Sequence, residues 1–88
     1  KPEFELDIRG CRLDEAIAQL ERQMDSALLC GLNEFSVIHG TGEGILQKGV
    51  RDFLSGNRNV DSFKFATPEN GGFGKTLVKL VKRWEKKN

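Results

Sequence analysis

The sequence has no tyrosine and only one histidine, one tryptophan, two prolines and two cysteines in 88 residues. Cys11 and Cys30 show no metal-type spacing. They stand at the two ends of a predicted helix, which separates them by roughly 28 Å at a helical rise of about 1.5 Å per residue. A disulfide requires Cα atoms about 6 Å apart, so both thiols are expected to be reduced bystanders, as in a cytosolic protein. No apolar run approaches the length of a bilayer span, and no basic-then-apolar signal segment opens the chain. The expectation is a soluble cytoplasmic piece of a longer protein, without a membrane partner. No serine or cysteine is set beside a base, so covalent hydrolase chemistry has no support. Repeats, low-complexity tracts and dense carboxylate clusters are also missing. Net charge is close to balance, +1 from 14 basic and 13 acidic residues, so any anionic partner must be met by local charge. Lys75, Lys79, Lys82, Arg83, Lys86 and Lys87 crowd the end of the chain, read first as a solvated strand and a frayed tail.

What is present reads as one domain over 1–88, with a core at about 4–83 and a basic tail at 84–88. Residues 4 to 9 alternate, with Phe4, Leu6 and Ile8 on one face and Glu5, Asp7 and Arg9 on the other, which predicts a half-buried strand. After Gly10, the residues Leu13, Ala16, Ile17, Leu20, Met24, Ala27 and Leu28 form a helix stripe that Gly31 closes. Phe35 to Ile38 is a short apolar strand, and Ile45, Leu46, Val50, Phe53 and Leu54 mark a second helix ended by Gly56-Asn57. Val60 to Phe65 predicts a third strand, with Phe63 and Phe65 on one side. Thr76 to Arg83 fits a strand better than the helix stripe Leu77, Leu80, Val81 and Trp84 would make, because it is rich in β-branched residues and follows a hairpin-like loop.

The order β-α-β-α-β-β implies a two-layer α/β sandwich with a four-stranded mixed sheet. Right-handed crossovers place both helices on one face and leave the other open. A short connection makes the last strand antiparallel to the third. Asp7 and Arg9, His39, and the Glu69 to Gly74 loop then meet at the carboxyl edge of the parallel strands, where open α/β sheets bind ligands.

That edge carries the chemistry. In Ile38-His39-Gly40-Thr41-Gly42-Glu43-Gly44-Ile45-Leu46, a strand runs into alternating glycines and then a helix, a layout whose backbone N–H groups and positive dipole end suit a phosphate. His39 at the strand mouth, with no evident core role, is a candidate general acid or base. Asp7 and Arg9 share a face: Arg9 forks onto a phosphate while Asp7 orients a water, His39 or a metal, or the two form an exposed ion pair, and the pattern alone favours neither. Gly74-Lys75-Thr76 mimics the end of a P-loop, but Glu69 stands where that motif needs glycine and a strand follows, so nucleotide binding by this route is excluded. Phe73 either stacks on a base or packs on the core. Asp7, Glu43 and Glu69 are the candidate metal ligands.

Three segments together resemble the small MutS-related (Smr) domain family: Leu6-Asp7-Ile8-Arg9-Gly10 with Asp14-Glu15-Ala16, the His39-Gly40-Thr41-Gly42 segment, and Gly71-Gly72-Phe73-Gly74-Lys75-Thr76-Leu77-Val78. The resemblance covers residues 4 to about 81. Its Asp-Glu-Ala helix start and Gly-Thr-Gly form are most similar to the C-terminal domain of bacterial MutS homolog two. It implies a fold similar to the C-terminal domain of translation initiation factor three. It also implies DNA nicking, within a MutS-like homodimer that acts on branched DNA and restrains recombination, while relatives act on RNA or ribosomes. By position it carries over Asp7, Arg9 and His39 as catalytic. Of the expected phosphate or nucleic-acid contacts, Gly40, Gly42, Gly72, Gly74 and Thr76 match its motifs, while Thr41, Gly44, Lys48 and Lys75 are added from the loop and its basic neighbours; Mg2+ or Mn2+ is a candidate cofactor that the sequence does not require. Two positions depart from the family pattern. Gln47 replaces a common arginine or lysine, with Lys48 next to it, and Glu43 stands where a small hydroxyl residue is frequent. A carboxylate there repels phosphate unless it points away or holds a cation, and otherwise signals weakened nuclease function. The rival readings are a non-catalytic nucleic-acid or ribosome-binding module and a protein-interaction domain using the open sheet face.

Overall fold

The computed structural model describes residues 1–82. Arg83, the tail at 84–88 and its lysines therefore lie outside the described residues. The elements are β1 (Glu5–Asp7), α1 (Leu13–Cys30), β2 (Glu34–Ile38), α2 (Ile45–Ser55), β3 (Val60–Phe65) and β4 (Lys75–Leu80), with two short 3-10 turns at Pro68–Asn70 and Gly72–Gly74 between β3 and β4. This is the expected α/β order.

The sheet order is β1-β2-β4-β3. β1 pairs parallel with β2, and β4 pairs antiparallel with both β2 and β3, so β4 is inserted between two strands that run the same way. Register fixes the faces. Leu6 lies opposite Val37, Val37 opposite Thr76, and Thr76 opposite Phe65, so the residues at alternate positions from these build one side of the sheet.

Both helices lie on that side and share its core. α1 buries Ala16, Leu20, Met24 and Ala27, α2 buries Val50 and Leu54, and the sheet supplies Ile8, Phe35, Val37, Val78 and Leu80. Each fully buried aliphatic side chain contributes about 1.5–3 kcal/mol by leaving water, and this set holds the layers together. The helices approach closely at Gly49, where an added Cβ would fall 2.4 Å from the Leu13 side chain. α1 starts with Asp14 and Glu15 in its first turn, and the Glu15 carboxylate accepts the Arg12 N–H at 3.0 Å. It ends at Gly31 with φ 75°, the left-handed conformation that glycine takes without a Cβ penalty. The buried Gln23 amide accepts from Glu3 N–H at 3.0 Å and donates to Glu3 carbonyl at 2.7 Å, pinning the segment before β1 to α1.

The outer sheet face carries a polar group of its own, in which Ser36 donates to Glu5 at 3.4 Å and Lys75 pairs with the same carboxylate. Three apolar expectations are corrected. Phe4 is 79% exposed, because it precedes the short paired part of edge strand β1, and Leu13 and Ile45, the first residues of α1 and α2, are also exposed. Cys11 and Cys30 are both free. No helix among the described residues is long and apolar enough to cross a membrane.

Candidate functional site

β2 delivers the chain into the 39–44 loop at the carboxyl edge of the parallel strands. Gly40, Gly42 and Gly44 have φ of 77°, 31° and 85°, a region that L side chains enter at a cost of roughly 1–2 kcal/mol each. The loop folds back on itself when Gly44 N–H donates to Thr41 carbonyl at 3.1 Å, and α2 starts without a side-chain cap. The first N–H groups of α2, like those of Thr41, Gly42 and Glu43, have no protein partner among the described residues. An open cleft of about 450 Å3 runs between this loop and Gly10 to Leu13.

The expected cradle is narrower than the sequence implied. Gly40 N–H is not free, because it and His39 N–H both donate to Gly74 carbonyl, at 2.9 and 3.0 Å. The Gly72–Gly74 turn is thereby tied to the loop, and Gly74 lies so near Gly40 that an added Cβ would stand 3.5 Å from Gly40 Cα. Gly72 is left-handed, with φ 54°.

His39 is only 5% exposed, which corrects the expectation of a ring without a core role. Its Nδ1 lies 2.9 Å from Gly40 carbonyl and its Nε2 lies 2.8 Å from Thr76 Oγ1. A carbonyl only accepts, so Nδ1 carries the proton, and in the neutral ring Nε2 accepts from the Thr76 hydroxyl. Both nitrogens are thus committed. The ring also meets Phe65 edge-on, with centroids 6.4 Å apart. Thr76 is 5% exposed as well, so this residue, expected to touch phosphate, instead braces His39 from across the sheet. The signal was available: His39 continues the inward alternation Phe35, Val37, and Thr76 begins the inward alternation Thr76, Val78, Leu80.

Asp7 and Arg9 do share a face, and they bind each other. Arg9 donates through Nε to Asp7 Oδ1 at 2.9 Å and through Nη2 to Oδ2 at 2.7 Å, a bidentate fork. Those side-chain bonds, with a further one from Arg9 backbone N–H, hold the Asp7 carboxyl at about 2, and the same carboxylate raises Arg9. No bond joins Asp7 to His39. The Arg9 stem crosses Gly40, whose missing Cβ would lie 3.5 Å from Arg9 Cγ. The Nη1 of Arg9 has no partner among the described residues.

The remaining predicted residues divide. Lys48 is exposed on α2 and pairs with Asp52 at 2.8 Å. Lys75 is only 21% exposed and is turned to Glu5, whose carboxyl it lowers, so it is not a free phosphate contact. Glu43 and Glu69 are exposed and have no partner among the described residues. Asp7, Glu43 and Glu69 do not gather, and no three His, Cys, Asp or Glu residues do so among the described residues. With Asp7 already held by a guanidinium, this donor set does not fit a protein-held Mg2+ or Mn2+. Gln47, flagged only as a departure, donates to Phe73 carbonyl at 3.0 Å and fixes the 72–74 turn to α2. Phe73 packs edge-to-face on Phe65 at 5.1 Å, as its packing reading expects, and is still 68% exposed.

The Smr domain model matches residues 6–81. The chain is 47% identical over 76 residues to the endonuclease MutS2 of Lactobacillus johnsonii, covering 86% of this chain and 10% of that one. It is 49% identical over 77 residues to that of a Geobacillus species, covering 88% and 10%. It thus spans about a tenth of the length of these relatives. The crystal structure of the Smr domain of Thermus thermophilus MutS2 superposes with a TM-score of 0.85 at 35% identity, over 88% of this chain and 96% of that one. YdaL, a stand-alone small MutS-related protein from Escherichia coli, does so with 0.84 at 26% identity, over 92% and 67%. With the family model, the identities and the fold in agreement over most of its length, the chain belongs to the Smr domain family.

Proposed function

We propose that the domain grips a phosphodiester of nucleic acid at the 39–44 edge and nicks DNA there, as the cutting module of a larger MutS-like homodimer acting on branched DNA and restraining recombination. The observation that carries this is the row of unpartnered N–H groups at Thr41, Gly42 and Glu43, continued by the uncapped start of α2, with Arg9 laid over Gly40 beside it. These donors suit the negative charge that builds on phosphoryl oxygens as water attacks, and being fixed in advance they need no reorganisation. Arg9 supplies a full charge, and Asp7 orients its fork. His39 takes the positioning role: Nδ1–H holds Gly40 carbonyl while Nε2 is held by Thr76, which sets the loop's path. Catalysis in this reading is electrostatic, and no step passes through a metal.

Supercoiled plasmid, with magnesium, manganese or chelator, tests it. Arg9→Ala should slow nicking at least tenfold, and an unchanged rate would overturn the assignment.

A second reading, a non-catalytic nucleic-acid or ribosome-binding module, is favoured by the commitment of both His39 nitrogens, which leaves no open general base. It expects salt-dependent binding to DNA or structured RNA without any cutting.

A further inference from the structure

A second cleft, of about 350 Å3, opens between α2 and the free edge of the sheet at β3. Its walls are Phe63, Phe65, Gln47 and Thr76, with Arg51 and Lys64 at the rim. We propose that it seats an unpaired nucleobase of the strand whose phosphate lies at the 39–44 edge, which makes a locally single-stranded site the preferred substrate. This rests on the nucleic-acid reading above.

Four features point to a base rather than a purely apolar guest. Both phenylalanine rings are only partly covered, and exposed Phe73 extends the aromatic surface through its contact with Phe65, so a flat π-system can be received. Arg51 and Lys64 are exposed and have no ion-pair partner among the described residues, which gives the rim a positive charge suited to the flanking phosphates. Gln47 spends its Nε2 on Phe73 carbonyl and keeps Oε1 as an acceptor for an exocyclic amine. Finally, Gln47 lines both clefts, which places the two on either side of one side chain. It stands two residues after the start of α2 and Arg51 stands six, roughly 3 and 9 Å along the axis at 1.5 Å per residue. Stacked nucleotides are spaced about 3.4 Å apart along a strand, so the distance is one to three nucleotide steps. A base inside duplex cannot reach the cleft while paired, whereas an unpaired one enters at little unstacking cost.

The test uses the 88-residue chain and a duplex interrupted by a short gap that carries 2-aminopurine, in DNA and RNA versions, against an intact duplex and an abasic gap. Binding should quench the fluorophore, and the gapped form should bind about tenfold tighter than either control. Phe63→Leu, which keeps apolar volume but removes the ring, should abolish that preference. Arg51→Gln, at an exposed position, should reduce it without touching the fold. Equal binding of gapped, abasic and intact duplex with an unquenched fluorophore overturns the base cleft. If Arg9→Ala still weakens that binding, the phosphate edge stands. Absence of all binding at low salt overturns both.

Discussion

His39, directly after β2, and Thr76 on β4 are joined by a 2.8 Å hydrogen bond within the core, and the same ring holds the Gly40 carbonyl at the mouth of the loop. One buried pair thereby couples the sheet interior to the backbone that faces the cleft. Replacing Thr76 by Val removes the hydroxyl and leaves Nε2 buried without a partner. The expected loss is about 1–3 kcal/mol of unfolding free energy in urea, the ordinary cost of an unsatisfied buried polar group. Thr76→Ser should recover most of it, because the hydroxyl is what matters.

Gly40 and Gly74 touch but are not equivalent. Gly40 has a left-handed φ of 77°, so Gly40→Ala should cost about 1–2 kcal/mol even though the space beside it is adequate. Gly74 has no left-handed φ, and its added methyl would make ordinary 3.5 Å contact. Gly74→Ala should therefore stay within roughly 1 kcal/mol of the parent. Thermal melts of the two variants would show the contrast.

Asp7 gives the acid limb of stability. Its carboxyl is lowered from 3.8 to about 2 in the folded chain, so its contribution is fully present above pH 4 and is lost as pH falls through about 2. Asp7→Asn should be less stable than the parent at pH 5, and the two should converge near pH 2. Parallel urea titrations across this range check the sign, and a gap that widens toward acid would contradict the Arg9 fork as its origin.

Glu43 lies in the same loop segment as the unpartnered N–H groups and pairs with no basic side chain among the described residues. Glu43→Gln should raise affinity for a phosphodiester by roughly two- to fivefold, the size expected for removing one exposed like charge. Magnesium should not reverse the effect. Weaker binding in Glu43→Gln when magnesium is present would show that the carboxylate holds a metal brought with the substrate.

Much of this was legible in the residues. The apolar periods at 13–28 and 45–54 and the glycines at 31 and 56 marked the helices, because helix stripes and their stops are local properties. The convergence of residues 7–9, 39–44 and 69–74 followed from strand direction alone. Pairing was harder. Element order allows β4 on either side of β3, and only the tertiary packing decides that it lies between β3 and β2. Lys75 looked available because its partner, Glu5, is 70 positions away in sequence and two strands away in the sheet. His39 looked catalytic for a different reason: motif context drew attention from the inward parity it shares with Phe35 and Val37. Sequence pattern locates a loop well and says little about which of its polar groups are already spent.

The place of β4 also governs how the domain comes into being. A ribosome releases β1, α1 and β2 early, and these can pair at once, but β3 has no neighbour in the sheet until residues 75–80 have followed it. The last of these four strands to be made is thus a central one, and the carbonyl of Gly74 that anchors His39 and Gly40 arrives with it. A nascent or truncated chain ending before that point has a bare β-edge and an untethered loop. The loop gains its tether only once β4 is in place, in the same step that closes the sheet.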